Sequence, residues 1–169
     1  MKQIKLTQGY VALVNDEDYE RVNAFKWHAY IATRKDGTIK TIYAKRNIPK
    51  INGKRTTQKM HRFILGITDP KVQADHKDHN GLNNQRYNLR QATHTQNGRN
   101  TRISTMNTSG VKGVGWHKGA EKWHARIAVD GNRIHLGNFT DKEEAAHAYD
   151  AAALKHHGAF ACTNGMLAA

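Results

Sequence analysis

The chain has 169 residues, room for one ordinary domain or two small ones, and its 27 Lys and Arg against 14 Asp and Glu give a formal charge of +13. That excess points to a polyanionic partner, because each cation meeting a phosphate releases a condensed counterion; a ribosomal or chaperone-like basic protein would share it. Its single cysteine, Cys162, excludes an internal disulfide framework and a thiolate zinc cluster. No apolar run approaches the roughly 20 residues that span a bilayer, and MKQIKLTQGY lacks the apolar core of a secretion signal, so a reducing cytoplasm is the expected compartment. Basic residues are spread over the whole chain, which suits the long footprint of a duplex rather than one pocket.

In chain order, residues 9–47 alternate apolar and polar positions in short runs and predict a small antiparallel meander, with Asp36-Gly37 at a tight turn. Between its first two strands, Asn15 is the expected cap of a short helix over Asp16 to Ala24, with Asp18 near the positive end of its dipole. Trp27, Ala29 and Ile31 share one face and His28 and Tyr30 the other, which makes Trp27 a core residue. Asn52-Gly53 marks a further turn. MHRFILG forms a short apolar element ahead of Asp69-Pro70, and His61 within it reads as a structural histidine.

Residues 74–100, ADHKDHNGLNNQRYNLRQATHTQNGRN, carry the chemistry. Asp75 offers a hard oxygen ligand, and the adjacent His76 points to the other side of an extended backbone, where an imidazole can deprotonate a water. Asn88 and Asn97 supply neutral carbonyl oxygens and amide donors. In a ββα-type site one strand delivers Asp75 and His76, a loop crosses over, a second strand passes near Leu89-Arg90, and a helix from about Gln91 to Asn100 returns Asn97. Asp75 and Asn97 would then share one divalent cation, Mg²⁺ or Mn²⁺. Neutral His76 would take a proton from water attacking phosphorus, and Asn88 would tie backbone across the crossover. Asp78, His79 and His94 are competing ligands, although without a second cysteine or an HExxH no zinc site is expected.

Residues 101–109 are polar and read as a linker between a first domain at 1–100 and a second at 110–169. In the second, Val111 to Trp116, Lys122 to Val129 and Asn132 to Leu136 predict three antiparallel strands, joined at Lys118-Gly119 and Asp130-Gly131. One helix follows, with Thr140 as its expected N-cap, Glu143 completing a capping box and Gly158 as its stop. Ala145, Ala148, Tyr149, Ala152 and Ala153 give the helix a small-residue face, to lie on Trp123, Ala125, Ile127, Val129, Ile134 and Leu136. His124, Arg126, Arg133 and His135 are left on the outer sheet face, where a ribbon of this width fits the major groove. A solvated basic face is the plain alternative.

Asp75-His76, the DHNGLNN loop, Asn88-Leu89-Arg90 and Gln96-Asn97-Gly98-Arg99-Asn100 together resemble the HNH endonucleases of phages and mobile introns, over about residues 60 to 100. The resemblance implies His76 as general base, Asp75 and Asn97 as metal ligands and Asn88 as the loop-fixing residue. Asn97 stands where many relatives have histidine. Residues 109 to 160 are similar to the APETALA2-type DNA-binding domain, which implies DNA contacts for Lys112, His117, Arg126, Arg133 and His135. Gly115 and Ala128 stand where arginines of the plant pattern are missing, so base preference does not carry over. The fold class expected is α+β: a meander leading into a ββα-metal core, then a three-stranded antiparallel sheet with one helix. The expected function is a site-specific, homing-type endonuclease nicking or cutting double-stranded DNA, monomeric on its target and without an obligate protein partner, in a bacterial host if phage-encoded. A non-enzymatic DNA-binding regulator and a general phage nuclease are the alternatives.

Overall fold

β1 (Lys2–Lys5) and β2 (Val11–Val14) pair antiparallel, and the alternation of IxLV-type residues turns Ile4, Ala12 and Val14 inward. The coordinates are a computed structural model describing residues 1–34, 36–51 and 53–168. Residues Met1–Asn97 make one compact unit and Gly98–Ala169 a second. The expectation of a mixed α and β chain built on small antiparallel sheets holds.

In the first unit, helix α1 (Asp16–Asn23) follows β2. Asn15 occupies its N-cap position without a side-chain bond to the helix; its Oδ1 instead accepts from Arg86 N at 2.7 Å, 71 residues away. The expected side-chain cap is therefore replaced by a long-range tie. Asp18, in the first turn at the positive end of the dipole as expected, is wholly buried and gripped by two guanidinium groups: Arg86 Nε and Nη2 at 2.8 and 2.9 Å, and Arg21 Nη2 at 2.6 Å. Burial pushes its carboxyl up and the two arginines more than offset this, leaving the pKa below its usual value.

Strands β3 (His28–Thr33), β4 (Ile39–Ile51) and β5 (Lys54–Lys59) form a three-stranded antiparallel sheet in sequence order. The Asp36-Gly37 turn forms as expected, with Thr38 N donating to Asp36 Oδ1 at 2.9 Å and Gly37 N to Arg34 O at 3.1 Å. Of the expected Asn52-Gly53 turn, Asn52 lies outside the described residues. Trp27 is buried and donates through Nε1 to Val22 O at 2.8 Å, the core role expected of it. Helix α2 (Met60–Ile64) places Met60 and Ile64 in the same core as Val14, Val22, Trp27 and Leu89. Each such large side chain contributes about 1.5–3 kcal/mol on leaving water.

Strand β6 (Gln73–His76) and strand β7 (Leu89–Ala92) form a separate antiparallel pair, followed by helix α3 (His94–Arg99). The expected helix start at Gln91 is displaced because Gln91 and Ala92 belong to β7. Thr93 then begins the helix by reciprocal capping: Gln96 N donates to Thr93 Oγ1 at 3.2 Å and Thr93 N to Gln96 Oε1 at 2.9 Å.

The second unit carries β8 (Val114–His117), β9 (Lys122–Val129) and β10 (Asn132–Phe139), ordered β10-β9-β8 and antiparallel. The first strand starts at Val114 rather than Val111, since Ser109 Oγ donates to Val111 O and Val114 O and turns the chain there. The third runs past Leu136 to Phe139 through an irregularity between His135 and Gly137. Asp130 (φ 50°) and Gly131 (φ 85°) form the tight turn anticipated for them. Helix α4 (Lys142–His157) is capped by Asp141, whose carboxylate accepts from Glu143 N and Glu144 N; Thr140, the expected cap, lies one residue too early. Ala145, Tyr149, Ala152 and Ala153 of α4 are buried against Ala125 and Ile127, and a short α5 (Asn164–Ala168) closes the unit, with Asn164 bonded to the Asp150 carboxylate. Residues 98–113, including the stretch read as a linker, belong to this unit. Among the described residues no helix is long and apolar enough to cross a membrane.

Candidate active site

The register of β6 on β7 opposes Asp75 to Arg90 and His76 to Leu89, so consecutive residues 75 and 76 face opposite sides of the ladder. Asp75 is buried; its Oδ2 accepts from Arg90 Nε at 2.7 Å and lies 2.6 Å from Nη2. Gln73, two residues earlier on the same face, is about 7 Å along the strand. Its carboxamide bridges to α3: Nε2 donates to His94 Nδ1 at 3.1 Å, and Oε1 accepts from Asn97 Nδ2 at 2.5 Å. Asn97 is thus brought to the Asp75 side of the ladder, with its amide nitrogen committed to Gln73.

The donor types on this face, a carboxylate and the carboxamides of residues 73 and 97, fit a hard divalent cation. Arg90 is the counter-charge such a cation would share or replace at Asp75. Among the described residues no three His, Cys, Asp or Glu side chains gather as a metal-holding group. A cation here would therefore rest on one carboxylate and neutral oxygens.

His76 lies on the other face, buried, with its ring edge-to-face against His61 at 4.8 Å and 5.9 Å from the Tyr43 ring. Its Nε2 meets Asn84 Oδ1 at 3.4 Å. Burial pushes the His76 pKa below its usual value, and the contact with Asn84 and the charges of Asp78 and Asp75 only partly oppose this. His61 is pushed well below, first by burial and then by His76, Lys59 and Arg62. Both rings are neutral at pH 7, as a proton acceptor requires. The same burial pushes the Tyr43 phenol up and the Lys59 ammonium down.

Asn88 sits at the end of the crossover loop Lys77–Asn88 and is almost fully buried. Its Oδ1 accepts from Asp78 N at 3.0 Å, while Nδ2 donates to Asp78 Oδ1 and Asn83 O, each at 2.8 Å; Lys77 N donates to Asn88 O at 2.9 Å. One side chain thereby ties both ends of the loop beside His76. Of the competing ligands, Asp78 is turned into this network through both oxygens, taking Asn83 Nδ2 at 2.7 Å on Oδ2. Gly81, at the loop's turn, passes so close to β4 that a Cβ there would lie 2.4 Å from Ile42 O.

Three contributors were invisible from the motif. His61, read as structural, is buried as that reading expects, and its ring packs on His76, a contact the motif does not show. Asn84 lay in a run of turn residues, and Gln73 preceded the segment singled out. Only Thr93-x-x-Gln96 carried a readable local signal, that of a capping box.

In the second unit, cross-strand partners put Gly115 and His117 of β8, His124, Arg126 and Ala128 of β9, and Arg133 and His135 of β10 on the sheet face away from α4. His117 Nδ1 accepts from Ala120 N at 3.0 Å. Burial, then Arg126, His117 and His135, push the His124 pKa down. A shallow hollow of about 500 Å³ is lined by Gly115, His124, Arg126, Ala128 and Arg133. Lys112 stands apart from this row: its ammonium donates to Arg99 O and Thr101 O at 3.1 and 2.6 Å, and burial lowers its pKa.

The chain is 34% identical over 110 residues, 62% of its length, to the uncharacterized HNH endonuclease L560 of Acanthamoeba polyphaga mimivirus, of which it spans 56%. It is 39% identical over 59 residues to protein 3.8 of Escherichia phage T7, covering 35% of this chain and 49% of that protein. Over a separate stretch it is 49% identical across 55 residues, 31% of the chain, to the AP2-like ethylene-responsive transcription factor CRL5 of Oryza sativa subsp. japonica, of which that is 9%. The chain spans about half the length of the viral relatives it matches. No family model matches it, and no solved structure does. The chain combines similarity to an HNH endonuclease with similarity, elsewhere along its length, to AP2-like transcription factors.

Proposed function

We propose that this chain is a divalent-metal-dependent DNA endonuclease of the HNH type, with a ββα-metal core in β6, β7 and α3 and an AP2-like sheet that holds duplex DNA. The observation that carries the reading is the pairing of a neutral, buried His76 with the Asp75 carboxylate on one strand, whose Asp75 face is bridged by Gln73 to Asn97. In this reading Asp75 and Asn97 hold one cation, Mg²⁺ or Mn²⁺. Bound there, it would offset negative charge building on the phosphate. His76 accepts the proton of the attacking water, a role worth about 10²- to 10⁴-fold in rate. Asn88 keeps the crossover loop, and with it His76, in place.

One such centre per chain makes nicking of one strand the expected product, with a 5′ phosphate and 3′ hydroxyl. The face bearing His117, His124, Arg126, Arg133 and His135 supplies the affinity for duplex DNA, and a homing-type, site-specific role follows from joining the two parts. Lys112 contributes from inside the unit, by its hold on two carbonyls, rather than as a first point of contact.

The test is a nicking assay on duplexes labelled on each strand, taken from the genomic locus with the coding insertion removed, in Mg²⁺, Mn²⁺ and chelator. Metal-dependent nicking at one position, lost in Asp75→Ala and in His76→Ala, is the expected result. Cutting of unrelated duplexes alike would make it a general nuclease. The ion pair of Asp75 with Arg90 is the one observation favouring a DNA-binding regulator, and tight binding without nicking in any metal would decide for it.

A further inference from the structure

We propose that Asn84 is a positioning residue for His76: by accepting the Nε2 proton it makes Nδ1 the ring nitrogen that carries the basic lone pair. The inference rests on His76 being the general base proposed above.

The geometry begins with the Asn84 carboxamide, which has no exposed surface. Its Nδ2 lies 3.2 Å from Leu82 O and 3.5 Å from Gly81 O. Carbonyl oxygens only accept, so an oxygen placed there would face two other oxygens, and the amide is locked with Nδ2 toward the loop. Oδ1 is then the atom that meets His76 Nε2 at 3.4 Å. A carboxamide oxygen cannot donate, and a neutral imidazole carries one N–H, so the contact is a hydrogen bond only in the Nε2–H tautomer.

The backbone beneath Asn84 is held independently of the histidine. Asn84 N donates to Leu13 O at 2.8 Å, and Leu13 N to Leu82 O at 2.9 Å, so β2 fixes both sides of residue 83. From the other direction His61 presses edge-to-face on the His76 ring. The ring is gripped at one nitrogen and on its flank, which sets its rotation about the Cβ–Cγ bond.

This assignment settles where the proton goes. Water gives its proton to Nδ1 as its oxygen bonds phosphorus; the P–O3′ bond breaks, and O3′ leaves with the electron pair and takes a proton from solvent water to become the 3′ hydroxyl. The resulting imidazolium keeps Nε2–H on Asn84 Oδ1 until Nδ1 releases its proton to solvent. Without Asn84, the tautomer with the proton on Nδ1 would compete and would have nothing to accept with at that atom.

The experiment labels the full-length protein at the histidine ring nitrogens and reads the tautomers from long-range nitrogen–proton correlation spectra in chelator. His76 is expected as Nε2–H in the wild type and as a mixture in Asn84→Leu, which has similar volume and no acceptor. In nicking kinetics Asn84→Leu should lower kcat about 10²-fold, leaving KM for DNA within about threefold. An Nδ1–H wild type overturns the proposal without need of any variant, should Asn84→Leu fail to fold. So does wild-type kcat in Asn84→Leu when His76→Ala is inactive. Full activity in His76→Ala would instead overturn the reading of His76 as base, while the spectra still decide what Asn84 does to the ring.

Discussion

Asn88 makes three side-chain hydrogen bonds inside the crossover loop, to Asp78 N, Asp78 Oδ1 and the buried Asn83 O. Asn88→Ala leaves the buried Asn83 O unsatisfied, a loss of about 1–3 kcal/mol, and frees Asp78 N from the loop. The expected result is a clear drop in the urea midpoint together with loss of nicking; a variant with unchanged midpoint would refute the loop role. The buried histidines give the second residue-scale expectation. His61 and His76 have folded-state pKa values below the unfolded value near 6.5, so on acidification the unfolded chain takes up protons first. Their contribution to stability is whole above about pH 6.5 and is lost as pH falls through the folded values. The urea midpoint should fall between pH 7.5 and 5.5, and fall less in His61→Phe, which keeps a ring beside His76. At this scale the sequence offered candidates and was poor on their partners. Asp75, His76, Asn88 and Asn97 could be picked from spacing. That Arg90 covers Asp75, or that Gln73 reaches Asn97, could not, because strand register and helix placement decide it.

Among the elements, those ruled by neighbours in sequence were readable. Asp130-Gly131 demanded positive φ at both positions and formed its turn, and the alternation along β9 separated Ala125 and Ile127 from His124 and Arg126 correctly. Boundaries failed where two residues could serve one purpose. Thr140 and Asp141 can both cap, and the carboxylate takes the helix, its negative charge suiting the positive end of the dipole. Asp141→Ala should cost about 1 kcal/mol, read as a lower melting temperature, with Thr140→Ala near neutral. The start of α3 was missed because Gln91 and Ala92 suit a helix by propensity, while pairing with Gln73 and Ala74 drew them into β7. The crossover loop is sensitive at Gly81 for a different reason. Gly81→Ala drives a methyl into Ile42 O and the Tyr43 ring, so the loop must lift from β4 and nicking should fall further than stability.

For the molecule as a whole, each unit has its own apolar core: one around Met60, Trp27 and Val14, the other around Tyr149, Ile127 and Ala125. The charge of +13 is spread across both, which anticipated a polyanion without saying where it lies. The break in patterning led to the expectation of two small domains; the ties within each compact unit were not legible, since they join residues dozens of positions apart. If Arg126 and Arg133 meet phosphates, Arg126→Ala and Arg133→Ala should each weaken binding of unrelated duplexes and reduce the salt slope by about 1. A slope unchanged in the double variant would remove the sheet from the DNA interface. The Asp18 carboxylate carries a last implication. It clamps Arg86 from a helix nearly seventy residues upstream, and Asn15 holds the backbone of the same arginine. The stretch from Gln73 to Arg99 is accordingly no transplantable cassette: grafted onto a foreign scaffold it would carry every reactive side chain and lack the anchorage that gives its loop a shape.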